Sequence, residues 1–269
     1  MISLFRVVVL GLFLFVAGCA NMGDLSISQI KEKIDASNKI GKTAQTKPVD
    51  FAALNKIYSK DLQPLVKSLD KEFNSGMDNG ITTAISNGKA NKEPAYEVQV
   101  VMKTLTRVFY LALVRSLEKG EIEKALAYNE AAKVPAQRRD KTVKPCPNLE
   151  ATLTTAFSAL EQASKTGNKM DIMLQKKIII DTLKKSYALS VLFEVEELIK
   201  NREKDPEFVK VKVAEGLTYY KILENDIKNN SPKSNEIIMS MFSGPASNYD
   251  LKVLREELNK GLGGDIQLK

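Results

Sequence analysis

The chain of 269 residues contains no histidine and no tryptophan. Without histidine it lacks the usual general base near neutral pH, the usual haem ligand and the commonest transition-metal ligand. Zinc catalysis and Ser-His-Asp chemistry are excluded on that ground. Without tryptophan, carbohydrate stacking and aromatic cages lose their best residue, although eight Tyr and ten Phe remain. Cysteine is nearly absent, with only Cys19 and Cys146. A thiol with no histidine to deprotonate it is a poor nucleophile, so Cys146, between Pro145 and Pro147, is expected to be a free loop residue. No glycine-rich phosphate loop occurs: Gly261, Gly263 and Gly264 lie near the chain end, with no strand before them and no helix after. No catalytic residue and no cofactor is expected, and the chain does not read as an enzyme.

What the sequence does have begins at its N-terminus. Arg6 is followed by the apolar run 7–15, and then by Val16-Ala17-Gly18-Cys19. An apolar core this short is an export signal; it cannot span a bilayer as a stable helix. Ending in cysteine, the segment resembles the lipobox of bacterial lipoproteins. That resemblance covers residues 1–19 and implies cleavage before Cys19, with a diacylglycerol thioether and an acylated amine on that residue. Buried acyl methylenes contribute about 0.8 kcal/mol each, so two or three chains hold a protein on a membrane. The lipoprotein pattern of diderm bacteria keeps Asp after the cysteine in the inner membrane. Ala20 therefore implies the outer membrane, facing the periplasm, with an envelope protein as possible partner.

Loss of residues 1–18 removes Arg6 alone, leaving 39 Lys and Arg against 33 Asp and Glu. These charges are interspersed along helices, which describes a solvated surface. No basic patch interleaved with aromatics appears, so nucleic acid is not an expected partner.

Apolar residues recur at helical spacing, and almost no stretch alternates at period two. The expected fold is an all-α helical bundle. Segment 97–118 is matched by 175–196 at an offset of 78: Val100 meets Ile178, Thr104-Leu105 meets Thr182-Leu183, and Phe109 meets Tyr187. After a seven-residue shift near 200–205, Glu130 meets Glu215, Pro147 meets Pro232, and Phe157-Ser158 meets Phe242-Ser243. The pattern predicts internal duplication of a three-helix unit. The expected organisation is a signal peptide (1–18), an acylated tether (19–48), N-terminal helices (49–95), a first repeat (96–166), and a second with the final helix (167–262). Within 97–118, a polar arc of Lys103, Thr104, Arg107, Arg115 and Glu118 interrupts an otherwise apolar girth, which predicts a central helix.

Two glutamates fall on apolar helical faces, Glu215 beside Phe208, Val211, Tyr219 and Ile222, and Glu130 beside Leu126 and Val134. A buried carboxylate needs a partner, because burial alone costs several kcal/mol. One expectation pairs each with a basic or tyrosyl group of its own repeat, Arg107 and Lys185 being the obvious cations. The other brings both to the repeat seam to bind a solute or cation. Glu194 and Glu197 form an ExxE pair, similar to the Arg-Glu-x-x-Glu of iron permeases but with Phe193 at the arginine position. Glu194 is therefore read as a helix end reaching solvent.

Overall fold

The computed structural model describes residues 25–90, 92–203, 205–264 and 266–268, all of whose regular elements are helical. The signal segment and Cys19 lie outside the described residues. Helix α1 (Ile27–Thr43) opens with a reciprocal cap. Ser26 Oγ accepts from the Gln29 amide at 3.3 Å, and Gln29 Oε1 accepts from the Ser26 amide at 2.9 Å. Its stripe of Ile30, Ala36 and Ile40 is buried. Within the stretch 19–48 expected as an acylated tether, residues 27–43 thus form a helix whose Ile30 and Ile40 are buried.

Asp50 caps α2 (Phe51–Ile57), accepting from the Ala53 amide at 2.9 Å. Pro64 has no N–H to give the helical ladder, yet the run does not stop. It widens into a π-turn over Tyr58–Leu62 and continues as α3 (Gln63–Phe73). Asn74 and Gly76, both left-handed, then turn the chain into α4 (Met77–Lys89). Asp70 holds that turn. Its Oδ1 accepts from Ser75 Oγ and the Met77 amide, and its Oδ2 from the Asp78 amide.

Helix α5 (Pro94–Glu118) is central, packing against α4, the following α6 (Ile122–Ala132) and, later in the chain, α10 (Pro206–Asn230). Most of its polar arc does not face water, although Glu118 at its end is exposed. Lys103, Thr104 and Arg115 are buried, and each cation reaches a different element. Lys103 meets α10, Arg107 donates to the Ser75 carbonyl at 3.3 Å, and Arg115 meets Ser68 and Glu72 of α3.

The chain breaks after α6 at Lys133. The basic segment 137–141 lies inside α7 (Val134–Thr142), with Pro135 in its first turn, where a missing N–H costs nothing. Asp140 then accepts from the Leu149 and Glu150 amides at 2.8 and 2.9 Å, capping α8 (Leu149–Thr166) as Asp70 caps α4. Helix α9 (Lys169–Asn201) packs between α8 and α10. Asp205 caps α10, and α11 (Pro232–Ser243) and α12 (Leu251–Leu262) close the body. Gly261 lies inside the last helix. A Cβ there would stand 2.5 Å from Ile227 Cγ2, and Gly263 at φ 86° makes the stop. Beyond it, the Leu268 amide donates to Asn259 Oδ1 at 2.8 Å, and Asn259 Nδ2 donates to the Leu268 carbonyl at 3.1 Å.

The order α5, α6–α7, α8 is followed by α9, α10, α11. The first set breaks into two helices at Lys133 where the second has the unbroken α10.

Candidate functional site: the seam between α5, α9 and α10

Helices α9 and α10 run as a hairpin, and α10 also lies along α5, so its inner face meets both long helices. A chain of charges crosses this junction. Lys212 of α10 sits 2.6 Å from Glu194 Oε2 on α9 and 2.7 Å from Glu215 Oε2 on its own helix. The other oxygen of Glu215 is 3.1 Å from Lys103 Nζ on α5. Glu194, Glu215 and Lys103 are all buried. The Lys103 ammonium also stands 5.1 Å from the centre of the Tyr219 ring, one turn beyond Glu215, an attractive cation–π arrangement. Tyr219 stacks on Tyr187, whose hydroxyl donates to the Ala132 carbonyl at 3.0 Å and so ties α9 to the end of α6.

A third cation faces the same cluster. Arg139 of α7 lays its guanidinium 3.9 Å over the Phe193 ring, and only 5% of the residue is exposed. Its Nε and Nη1 are buried without a hydrogen-bond partner. Lys103, Lys212 and Arg139 therefore outnumber Glu194 and Glu215.

These groups set one another's protonation. Burial alone would raise Glu215, but attraction to Lys103 and the hydrogen bond from Lys212 outweigh it and hold the carboxyl below its ordinary range. Glu194 goes the other way: burial, reinforced by repulsion from Glu215, lifts its carboxyl despite Lys212. Burial works against the charge on Lys103 and Lys212 too. Tyr219 and Glu215 offset it for Lys103, and Glu194 and Glu215 for Lys212, so both stay charged. Burial lowers Arg139.

Of the residues singled out in the sequence, the seam gathers two, Glu215 and Glu194. Glu215 is buried as expected, but its partners are Lys103 and Lys212 rather than Arg107 or Lys185. Glu194 does not reach solvent, because α9 runs on to Asn201 and α10 covers it. Glu130 is the clearest correction. It is exposed and pairs with Lys133 at 2.9 Å. The buried face of α6 is Ala125, Tyr128, Asn129 and Ala132, one residue out of step with the Leu126–Glu130–Val134 stripe. Arg107 is engaged at the α3–α4 turn, and Lys185 stands half-buried on α9, outside the cluster. Cys146 is a free, exposed thiol, and Cys19 lies outside the described residues. Among the described residues no three Cys, Asp or Glu side chains converge as a metal site. The pairing of Glu215 and Glu194 with lysines leaves the cation-binding expectation without free carboxylates at the seam.

Beside this cluster opens a cleft of about 620 Å³ between α1, α5, the α6–α7 junction and α10. Lys103 and Tyr219 belong to its lining, Arg138 and Glu130 stand on one wall, and Asp35, Lys39 and Lys42 of α1 on the other.

Compared with family models, curated proteins and solved structures, the chain matches none. The site must be read from its own chemistry. Of the seam's cations, Lys103 stood out in the sequence only as part of the polar arc of α5, and Lys212 and Arg139 were not picked out. The one local signal was the three-residue spacing of Lys212 and Glu215, which places them on one helical face; the other contacts span α5, α7 and α9.

Proposed function

We propose that this chain is a lipid-anchored protein of the bacterial cell envelope, held at the outer membrane through Cys19, whose helical body acts by binding an envelope protein. The anchor rests on the lipobox-like Val16-Ala17-Gly18-Cys19 after a short apolar core. Among the described residues no helix is long and apolar enough to cross a membrane, in keeping with attachment by lipid. The near-coincidence of 97–118 with 175–196 supports a duplicated three-helix unit as the source of the body.

One observation carries the binding half of the proposal. At the start of α9, Met170, Met173 and Leu174 are 82%, 71% and 52% exposed. Their spacing puts them on one helical face, as a helix that inserts into a partner's groove presents its anchors. Large apolar side chains grouped in the open mark contact sites, and methionine adapts readily to a partner's surface. In this reading the chain has no catalytic residue and no cofactor.

The test has two parts. Cys19→Ser is expected to move the protein from the membrane to the soluble fraction; a variant that stays membrane-bound overturns the anchor. A photo-crosslinker at Met173 in the full chain in cells is expected to give one dominant protein adduct. It should be lost when Met170 and Leu174 become serine. Labelling of lipid alone, or none, overturns the docking face.

A further inference from the structure

The seam carries more positive charge than it neutralises. Three buried or half-buried cations, Lys103, Lys212 and Arg139, face two carboxylates, and two nitrogens of Arg139 have no acceptor. The cleft alongside adds cations from opposite sides, Lys39 and Lys42 from α1 and Arg138 from α7. Its acidic lining is weak by comparison. Glu130 is already paired with Lys133, which leaves Asp35, one turn before Lys39. Lys103 and Tyr219 extend the lining to the buried charge chain, so the cleft is continuous with the excess positive charge behind it.

Apolar side chains complete the walls, among them Met102, Phe109 and Val134. The cleft has the size of a small-molecule site, and most of its lining residues are polar, with charged side chains converging from both walls. Cations facing one another across it suit a ligand with more than one anionic group, and arginine favours carboxylate or phosphate oxygens because it can meet two at once.

We propose that this cleft binds a small organic polyanion, with carboxylate or phosphate groups held between Arg138 on one side and Lys39 and Lys42 on the other, over Lys103 and Tyr219. The ligand is thus opposite in charge to the one a carboxylate site would take, and the site is independent of the lipid anchor and of the exposed face of α9.

The experiment uses the full chain in a neutral detergent, titrated calorimetrically with citrate and, separately, with inorganic phosphate. Citrate is expected to bind saturably at one site per chain. Phosphate, which cannot bridge the two walls, should bind at least about tenfold more weakly, the loss of one charge-assisted contact. Arg138→Gln and Lys42→Gln, both at exposed positions, should each weaken citrate about tenfold. Lys228→Gln, exposed at the end of α10, should leave binding unchanged. A parallel flotation assay with vesicles of phosphatidylglycerol or phosphatidylcholine tells a free polyanion from a headgroup. Citrate-competed binding to the anionic vesicles that is lost in Arg138→Gln still supports the site and identifies a lipid source. Absence of saturable citrate binding, or equal binding by the Arg138→Gln/Lys42→Gln double variant, overturns it.

Discussion

Lys103 on α5 and Glu215 on α10 meet at 3.1 Å with both side chains about nine-tenths buried. Two helices distant in sequence are thus joined by a charge pair. Removing Glu215 leaves Lys103 buried without its carboxylate, at a cost of about 3–5 kcal/mol, whereas removing Lys103 leaves Glu215 still paired with Lys212 and costs less. Replacing both by apolar groups of similar volume is far better tolerated.

Glu215→Gln is therefore expected to destabilise the protein by about 3–5 kcal/mol in urea denaturation, Lys103→Met by less, and Lys103→Met/Glu215→Leu by clearly less than their sum. Strict additivity would show that the two side chains do not depend on each other.

Glu194 and Glu215 should give opposite pH signatures. Glu194 is held above its ordinary 4.5 by burial and by Glu215. Below that value it is protonated folded and unfolded. As pH rises the unfolded chain ionises first, so wild-type stability falls relative to Glu194→Gln until the native carboxyl ionises as well. Glu215 is held below 4.5. Its contribution is complete above that value and is lost as pH falls through its native one. Denaturation between about pH 3 and pH 7 should show both trends; a wild-type advantage over Glu194→Gln that grows with pH contradicts the assignment.

Asp70 and Asp140 perform one task at two places, each accepting the first amides of the next helix. Asp70→Ala and Asp140→Ala should each cost about 1–2 kcal/mol, the size of a lost helix cap. Hydrogen exchange should localise the loss, at Met77 and Asp78 for the first and at Leu149 and Glu150 for the second. Uniform acceleration throughout the chain would refute a local role.

Gly88 is irreplaceable for a steric reason. A Cβ at this position would stand 2.2 Å from the Phe51 ring. Gly88→Ala is expected to destabilise by about 1–3 kcal/mol, as overpacking does, and Phe51→Leu should recover part of the loss in the double variant. A stable Gly88→Ala chain would mean that α2 and α4 do not pack at this distance.

The helical class was legible, because apolar residues recur at helical spacing and almost nothing alternates at period two. The burial of Glu215 was legible too, since α10 surrounds it with apolar positions. Glu130 misled because α6 is short and rich in alanine, and alanine carries little information about which face is inward. Glu194 and Lys103 misled for another reason. Each sits where a lone helix would show charge to water, and only the arrival of α10 covers them. Helical period reports the face of one helix. It is silent about what another helix brings to that face.

Lys103, Arg107 and Arg115 have a joint consequence for α5. A smooth greasy rod can rotate or slip by a turn among its neighbours and lose little contact. These three pegs point into separate keyways, on α10, at the Ser75 carbonyl and on α3. Any slip withdraws all of them at once and strands three positive charges in the interior. Greasy contact holds the shaft in place, and the pegs set its angle.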